Sequence, residues 1–176
     1  NCSTDGSVEM VRAQFPKVCL VVNEKNYGFA KANNIGLRIA RAEFVALINS
    51  DVIVKPNCLQ DLIAKLRLNS EIGIVGPCVV DGNGKLQRTC RRLPTLFNLW
   101  LRALNADSAF KKLPALSGRE MLHWEHNSEQ NVESISGCFL VARKSAISNV
   151  GLLDEDFFFY AEDVDWCNRF RKAGWG

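Results

Sequence analysis

Phe44-Val45-Ala46-Leu47-Ile48-Asn49-Ser50-Asp51 is an apolar run that stops abruptly on three polar residues. Five apolar residues in a row are too few for a buried helix and fit a strand covered on both faces, as inside an α/β sheet. In open sheets of that kind ligands bind beyond the carboxyl ends of the strands, so Asn49 and Asp51 stand where a ligand or a metal would be met. An isolated Asn-Ser-Asp is more commonly a turn or a helix cap.

Outward from this run, strand-like and helix-like segments alternate. Upstream, the spacing predicts a helix over 7–15, opened by a Ser7 cap and with Val8, Val11 and Phe15 on one face. It also predicts a buried strand at 18–22 and a helix over 29–39 with Ala30, Asn34 and Leu37 near one face. Downstream, Leu59, Leu62, Ile63 and Leu66 mark an amphipathic helix over 57–68. A strand follows at 72–80, then the turn residues Asp81-Gly82-Asn83-Gly84 and a hairpin partner within 85–91. Residues 96–104 are apolar on nearly every side around Trp100, as in a buried helix or one leaning on a membrane surface. A strand interrupted by Gly137 is expected over 132–142 and a short helix over 144–150. Behind Phe157-Phe158-Phe159-Tyr160, a helix starts near Glu162 with Trp166, Phe170 and Ala173 on one side. The alternation predicts an α/β fold.

A length of 176 residues gives one domain with a real core. Hydrophobic residues at 47% and charged ones at 23% exclude a disordered tail, a collagen-like repeat and a coiled coil. No apolar run approaches the ~18 residues of a spanning helix, and no signal peptide is recognisable. The net charge of +3 is too mild to imply nucleic acid. Its distribution is uneven: from Lys85 to Arg119 there are eight basic residues against one acid, Asp107. That stretch reads first as a solvated surface, and more sharply as a contact with an anionic membrane or a lipid-linked diphosphate. Seven cysteines without a C-x-x-C pair read as free, mostly buried thiols of a reducing compartment, hence the cytoplasm, with the basic stretch at the inner face of the membrane. A zinc site is disfavoured, because His123 and His126 have no Cys at ligand spacing.

Glu162-Asp163-Val164-Asp165 sets three carboxylates in the first turn of a helix. The macrodipole favours acids there and Asp165 can pair with Arg169, which accounts for Asp165. Glu162 and Asp163 beside four aromatics also suit a general base, since an apolar wall raises a carboxyl's pKa. Asn26, Gly28 and Asn34 lie around a strand-to-helix turn that could be a plain capped turn or an anion site, without any Gly-rich dinucleotide or Walker pattern.

Five blocks then carry a resemblance: NCSTDGS at 1–7, NYGFAKANNIG at 26–36, FVALINSDV at 44–52, SGCFLVARK at 136–144 and GLLDEDFFFYAEDVDWCNR at 151–169. In this order and spacing they resemble family 2 glycosyltransferases, particularly the rhamnosyltransferase-like branch. The resemblance implies a GT-A fold, a mixed and mostly parallel sheet flanked by helices. It implies transfer of a sugar, with inversion, from a nucleotide-diphosphate donor to a hydroxyl of a saccharide or lipid-linked acceptor, and no nucleic-acid partner. Asp163 matches the general base and Glu162 a neighbour that orients the acceptor. Asp5 matches the acid near the nucleoside base; Asn26, Gly28, Asn34 and Asn49 fall in the donor blocks. Asp51 matches the ligand of a Mg²⁺ or Mn²⁺ that bridges the diphosphate.

Asn49 stands where many members have Asp, which leaves one carboxylate for the metal. The family's first strand would precede Asn1, and its metal-binding His would follow Gly176, so a catalytic domain short at both ends, with weakened donor binding, is expected. A non-catalytic sugar-nucleotide-binding module of the same fold is the rival. A nucleic-acid-binding domain would rest on the basic stretch alone.

Overall fold

The computed structural model describes residues 1–176. Its elements are α1 (Ser7–Gln14), α2 (Gly28–Ile39), β1 (Phe44–Ile48), α3 (Cys58–Leu68), β2 (Ile74–Val75), β3 (Val79–Val80), β4 (Leu86–Gln87) and β5 (Cys90–Arg91). Then follow α4 (Leu96–Ala103), α5 (Ala106–Ala109), a 3₁₀ turn at Pro114–Leu116, β6 (Ser134–Ile135), β7 (Phe139–Arg143), α6 (Lys144–Val150) and α7 (Glu162–Lys172).

β7 is the centre of the sheet, with β1 on one side and β2 on the other. Its first four residues are all buried, which explains their unbroken apolar run. Leu140 and Ala142 face a core shared with Ala30 and Leu37 of α2, Ala146 and Ile147 of α6, and Trp166 and Phe170 of α7. Phe139 and Val141 face the other way, against Leu66 of α3. Period-two alternation along one strand thus divides the helices into two layers.

Both ladders of this sheet are antiparallel, as are β3 with β4 and β5 with β6. The molecule is a mixed α/β structure, but the mostly parallel sheet expected from the sequence is not what pairs. β1 and β2 do run in the same direction around the α3 crossover; β7 inserts between them and runs opposite to both.

The expected strand at 18–22 is absent: these residues are irregular, and Val18, Val21 and Val22 are exposed, because no neighbouring strand offers them a ladder. The strand expected over 72–80 is broken after Val75, where Gly76-Pro77 intervenes, since Pro has no N–H for a ladder and a Cβ at Gly76 would press on Ile135. Val79–Val80 then forms the expected hairpin with Leu86–Gln87, and Asp81 Oδ1 accepts the N–H groups of Asn83 and Lys85 in its turn. Ser7 does not cap α1; it donates both its hydroxyl and its N–H to Asp5 Oδ1. All seven cysteines are free, but only Cys90 and Cys167 are buried, so most thiols lie outside the core, contrary to expectation. Burial pushes the Cys167 thiol up to about 12, which leaves it protonated and inert.

Candidate active site

The sheet delivers Asn49 and Asp163 to one three-residue turn. β1 ends at Ile48, and the next N–H, that of Asn49, donates to the carbonyl of Cys138 at 2.9 Å. One residue earlier, the N–H of Gly137 donates to Asp163 Oδ2, also at 2.9 Å. The Ser136–Cys138 turn is where the strand expected over 132–142 splits into β6 and β7. It splits there because the Gly137 N–H serves Asp163 and the Cys138 N–H serves Ser136 Oγ, so neither enters a ladder. A Cβ on Gly137 would come within 3.0 Å of the Phe29 ring and 3.6 Å of Asp163 Cβ, so this glycine is the spacer that lets α2 and α7 approach.

Asp51 stands beyond this turn, exposed, with no hydrogen bond or ion pair to any protein group. No three His, Cys, Asp or Glu side chains gather into a metal-binding cluster. His123 shares a hydrogen bond with Ser117 Oγ at 2.7 Å, and His126 stacks on Trp124 at 4.0 Å. The available donor set is therefore one free, hard carboxylate at a strand end. That fits a Mg²⁺ or Mn²⁺ whose other ligands are substrate phosphate and water, and does not fit a cage made by protein alone.

Asp163 is half-buried at the head of α7, with Oδ1 accepting from Val164 N at 2.8 Å as well as Oδ2 from Gly137. These two bonds fix the carboxylate plane while each oxygen keeps a further lone pair. Glu162 is only 4% exposed and its Oε2 has no partner. Burial, and then the negative charge of Asp163, hold its carboxyl above the usual glutamate value. Phe158, Phe159 and Tyr160 are each more than half exposed, so these rings do not form the apolar wall expected behind the carboxylates. Tyr160 and Ala161 both take left-handed φ, 69° and 73°, a local strain next to Glu162.

Of the residues expected to bind a nucleotide-sugar, the structure brings some together and bonds others within the fold. Asn1 Nδ2 donates to Asn26 Oδ1 and to the Gly28 carbonyl, and Tyr27 N donates to Asn1 Oδ1, so the first block is fastened to the Asn26–Gly28 loop. Asp5 is exposed nearby in sequence, held below the usual carboxylate range by the Ser7 hydroxyl and then by the Ser7 N–H. Gly28 takes a φ of 78°, and a Cβ there would overlap the Phe158 carbonyl, which accepts from Phe29 N at 2.8 Å. Gly28 N donates to Asn26 Oδ1. The N–H groups that made this turn a possible anion site are thus spent inside the protein. Asn34 is 1% exposed, donates to the Leu153 carbonyl and to Glu155 Oε1, and accepts from Leu153 N. Its polar atoms pin the loop ahead of α7, with Arg38 also on Glu155, and none is left for a ligand. Helical spacing set Asn34 beside Ala30 and Leu37, which was the available sign of an inward face.

Gly137, Asn1 and Phe158 were not singled out as site residues from the sequence. A glycine within a strand pattern was the one signal, for Gly137. The other two act through backbone or amide contacts between segments distant in the chain.

A family model described as "Glycosyl transferase family 2" matches residues 1–148. The chain is 30% identical to an N-acetylglucosaminyl-diphospho-decaprenol L-rhamnosyltransferase of Mycobacterium tuberculosis, over 99% of this chain and 60% of that protein. It is 25% identical to the rhamnosyltransferase WbbL of Escherichia coli over 84% of this chain and 56% of that one. With the low-salt glycan biosynthesis hexosyltransferase Agl10 of Haloferax volcanii it shares 24% over 84% and 44%. It therefore spans about 60% of the length of the mycobacterial relative. With a family model covering residues 1–148 and a relative 30% identical over nearly the whole chain, the chain belongs to glycosyl transferase family 2.

Proposed function

We propose that this chain is the GT-A-type catalytic part of an inverting glycosyltransferase, moving a sugar from a nucleoside-diphosphate donor to a hydroxyl of a saccharide or lipid-linked acceptor. The observation that carries it is the Ser136–Cys138 turn, which holds Asn49, two residues before Asp51, and Asp163 through adjacent backbone groups. One carboxylate is free for a metal and another is fixed but reachable, the division of labour that displacement of a diphosphate requires.

Asp163 takes the proton of the acceptor hydroxyl. The freed oxygen bonds to the anomeric carbon from the face opposite the diphosphate, and the bond to the diphosphate oxygen breaks with its electron pair leaving on the nucleotide. Backbone bonds from Gly137 and Val164 keep Asp163 aimed, so little reorganisation accompanies proton transfer. Glu162 Oε2, buried and without a partner, is an acceptor atom that a second acceptor hydroxyl would satisfy. Asp51 would hold Mg²⁺ or Mn²⁺, which supplies charge neutralisation on the departing diphosphate. Asp5 and Asn49 would contact the nucleotide. The mycobacterial relative is an L-rhamnosyltransferase named for an N-acetylglucosaminyl-diphospho-decaprenol, which supports a deoxyhexose or hexose donor and a lipid-linked acceptor here.

The non-catalytic sugar-nucleotide-binding module stays as a second reading, because Asn26, Gly28 and Asn34 spend their polar groups within the fold. Titration with UDP-, GDP- and dTDP-sugars in the presence and absence of Mn²⁺ decides. Binding of one donor that needs metal and is lost in Asp51→Ala, with turnover lost and binding kept in Asp163→Asn, is expected. Binding without turnover in the unmodified chain selects the second reading; no binding of any donor overturns both.

A further inference from the structure

α4 is built inside out. At 100° per residue, Leu99, Ala103, Leu96, Trp100, Leu104 and Phe97 fall within one arc of about 160°. That arc faces outward: Leu96 is 88% and Trp100 65% exposed, and Phe97, Leu99 and Leu104 are each at least half exposed. The inward face holds Leu101 and the amide of Asn98. Asn98 fixes this orientation, since it closes a capping box with Thr95 and donates Nδ2 to the Leu93 carbonyl. An ordinary surface helix hides its apolar stripe and shows its polar one; here only Leu101 of the apolar residues is hidden and the rest face outward.

Phe110 and Leu113, also half exposed, extend the apolar surface beyond α5, and between them stand Lys111 and Lys112. Arg102 flanks α4. These three cations are exposed and make no ion pair, unlike Arg88 and Arg91, which pair with Glu125 and Glu120. The one acid in the stretch, Asp107, is buried and accepts from Ser108 N. An outward arc of Leu, Phe and Trp bordered by free Lys and Arg, on a helix far too short to span, has the chemistry of a segment lying in the headgroup layer.

We propose that α4 and the segment through Leu113 dock this chain onto the surface of an anionic phospholipid bilayer. Anionic headgroups complement Arg102, Lys111 and Lys112, whereas a two-fold pairing of the same face in a second copy would set like charges against each other. The excursion that carries α4 leaves from β5 and returns on β6, and β6 leads within two residues to Gly137 and its bond to Asp163. A docked α4 would hold the proposed catalytic base close to the bilayer, where a lipid-linked acceptor is presented. That last consequence rests on the proposed function; the docking itself does not.

The test is co-sedimentation of the chain with vesicles of phosphatidylcholine alone and of phosphatidylcholine mixed with phosphatidylglycerol, at low and high salt. Trp100 emission is followed in parallel with bromine-labelled acyl chains. Pelleting with the mixed vesicles, reversal by salt, a blue shift and bromine quenching are expected. Trp100→Ser removes the blue shift. Lys111→Gln with Lys112→Gln weakens binding roughly tenfold at low salt, and Leu96→Glu with Trp100→Glu abolishes it. The altered side chains are exposed, so circular dichroism should stay unchanged; if the glutamate pair misfolds, the lysine pair and the quenching still decide. Equal pelleting with neutral vesicles, none with phosphatidylglycerol, wild-type pelleting of either pair, or a lipid-free dimer dissolved by the glutamate pair would overturn the proposal.

Discussion

α7 and α4 are both short helices with a central tryptophan, and they use it in opposite ways. Trp166 is fully buried, donates Nε1–H to the Gly151 carbonyl at 2.9 Å and meets Phe170 edge-on at 5.2 Å, so its indole is part of the core that seats Asp163. Trp100 lies on the outer side of α4 with no packing partner of that kind. In α7 the apolar face is covered by β6 and α6, and the acids of the first turn are left at the site. In α4 only Leu101 and Asn98 are covered, and the apolar arc is left outside. Amphipathicity therefore names the two faces of a helix without saying which is inside; the neighbours that arrive from elsewhere in the chain decide that.

Breaking the α7 side should cost most. Asp163→Asn should lower turnover about 1,000-fold, within the usual range for loss of a general base, while donor affinity in a binding titration stays close to wild type. Trp166→Ala should destabilise by about 4 kcal/mol in denaturant unfolding, as large aromatic deletions in cores do. Gly28→Ala, which forces a Cβ onto the Phe158 carbonyl at a left-handed φ, should cost about 3 kcal/mol in the same measurement.

A smaller, pH-dependent difference isolates Glu162. Its carboxyl is held above the ordinary value, so the folded state binds its proton more readily than the unfolded chain does. Stability from this group is therefore gained as pH falls through the raised folded value towards the ordinary one, and is absent above it. The difference in Tm between wild type and Glu162→Gln, followed against pH, should move in the wild type's favour over that window and be flat below it. The smallest effect is expected at α4, where Trp100→Ser should change stability by no more than about 0.5 kcal/mol, in contrast to Trp166→Ala. A large loss there would mean that the exposed arc is covered within the chain itself and would erase the contrast between the helices.

Much of the site was legible in advance for a local reason. Asp51 follows a strand and Asp163 opens a helix, so each sits at an element end that periodicity and a compositional break reveal. What binds them together was not legible. The turn that holds Asn49 and Asp163 sits 89 residues beyond Asn49 on the Cys138 side and 26 before Asp163 on the Gly137 side, and nothing in a linear pattern specifies which backbone group meets which partner. Asn34 was misplaced for the same reason: the sequence shows an amide on a helix face, and only Leu153 and Glu155 show that the face is closed.

The sequence by itself determined the segments that become helices, the apolar run that becomes the central strand, the five ordered blocks and the two carboxylates at element ends, because these depend on contacts and preferences within a few residues. The tertiary structure alone decided that the sheet pairs antiparallel around β7, that Val18–Val22 stays unpaired, that Gly28 and Asn34 serve the fold, and that α4 turns its apolar arc outward. Each of these depends on a partner brought from a distant part of the chain, and burial belongs to the pair.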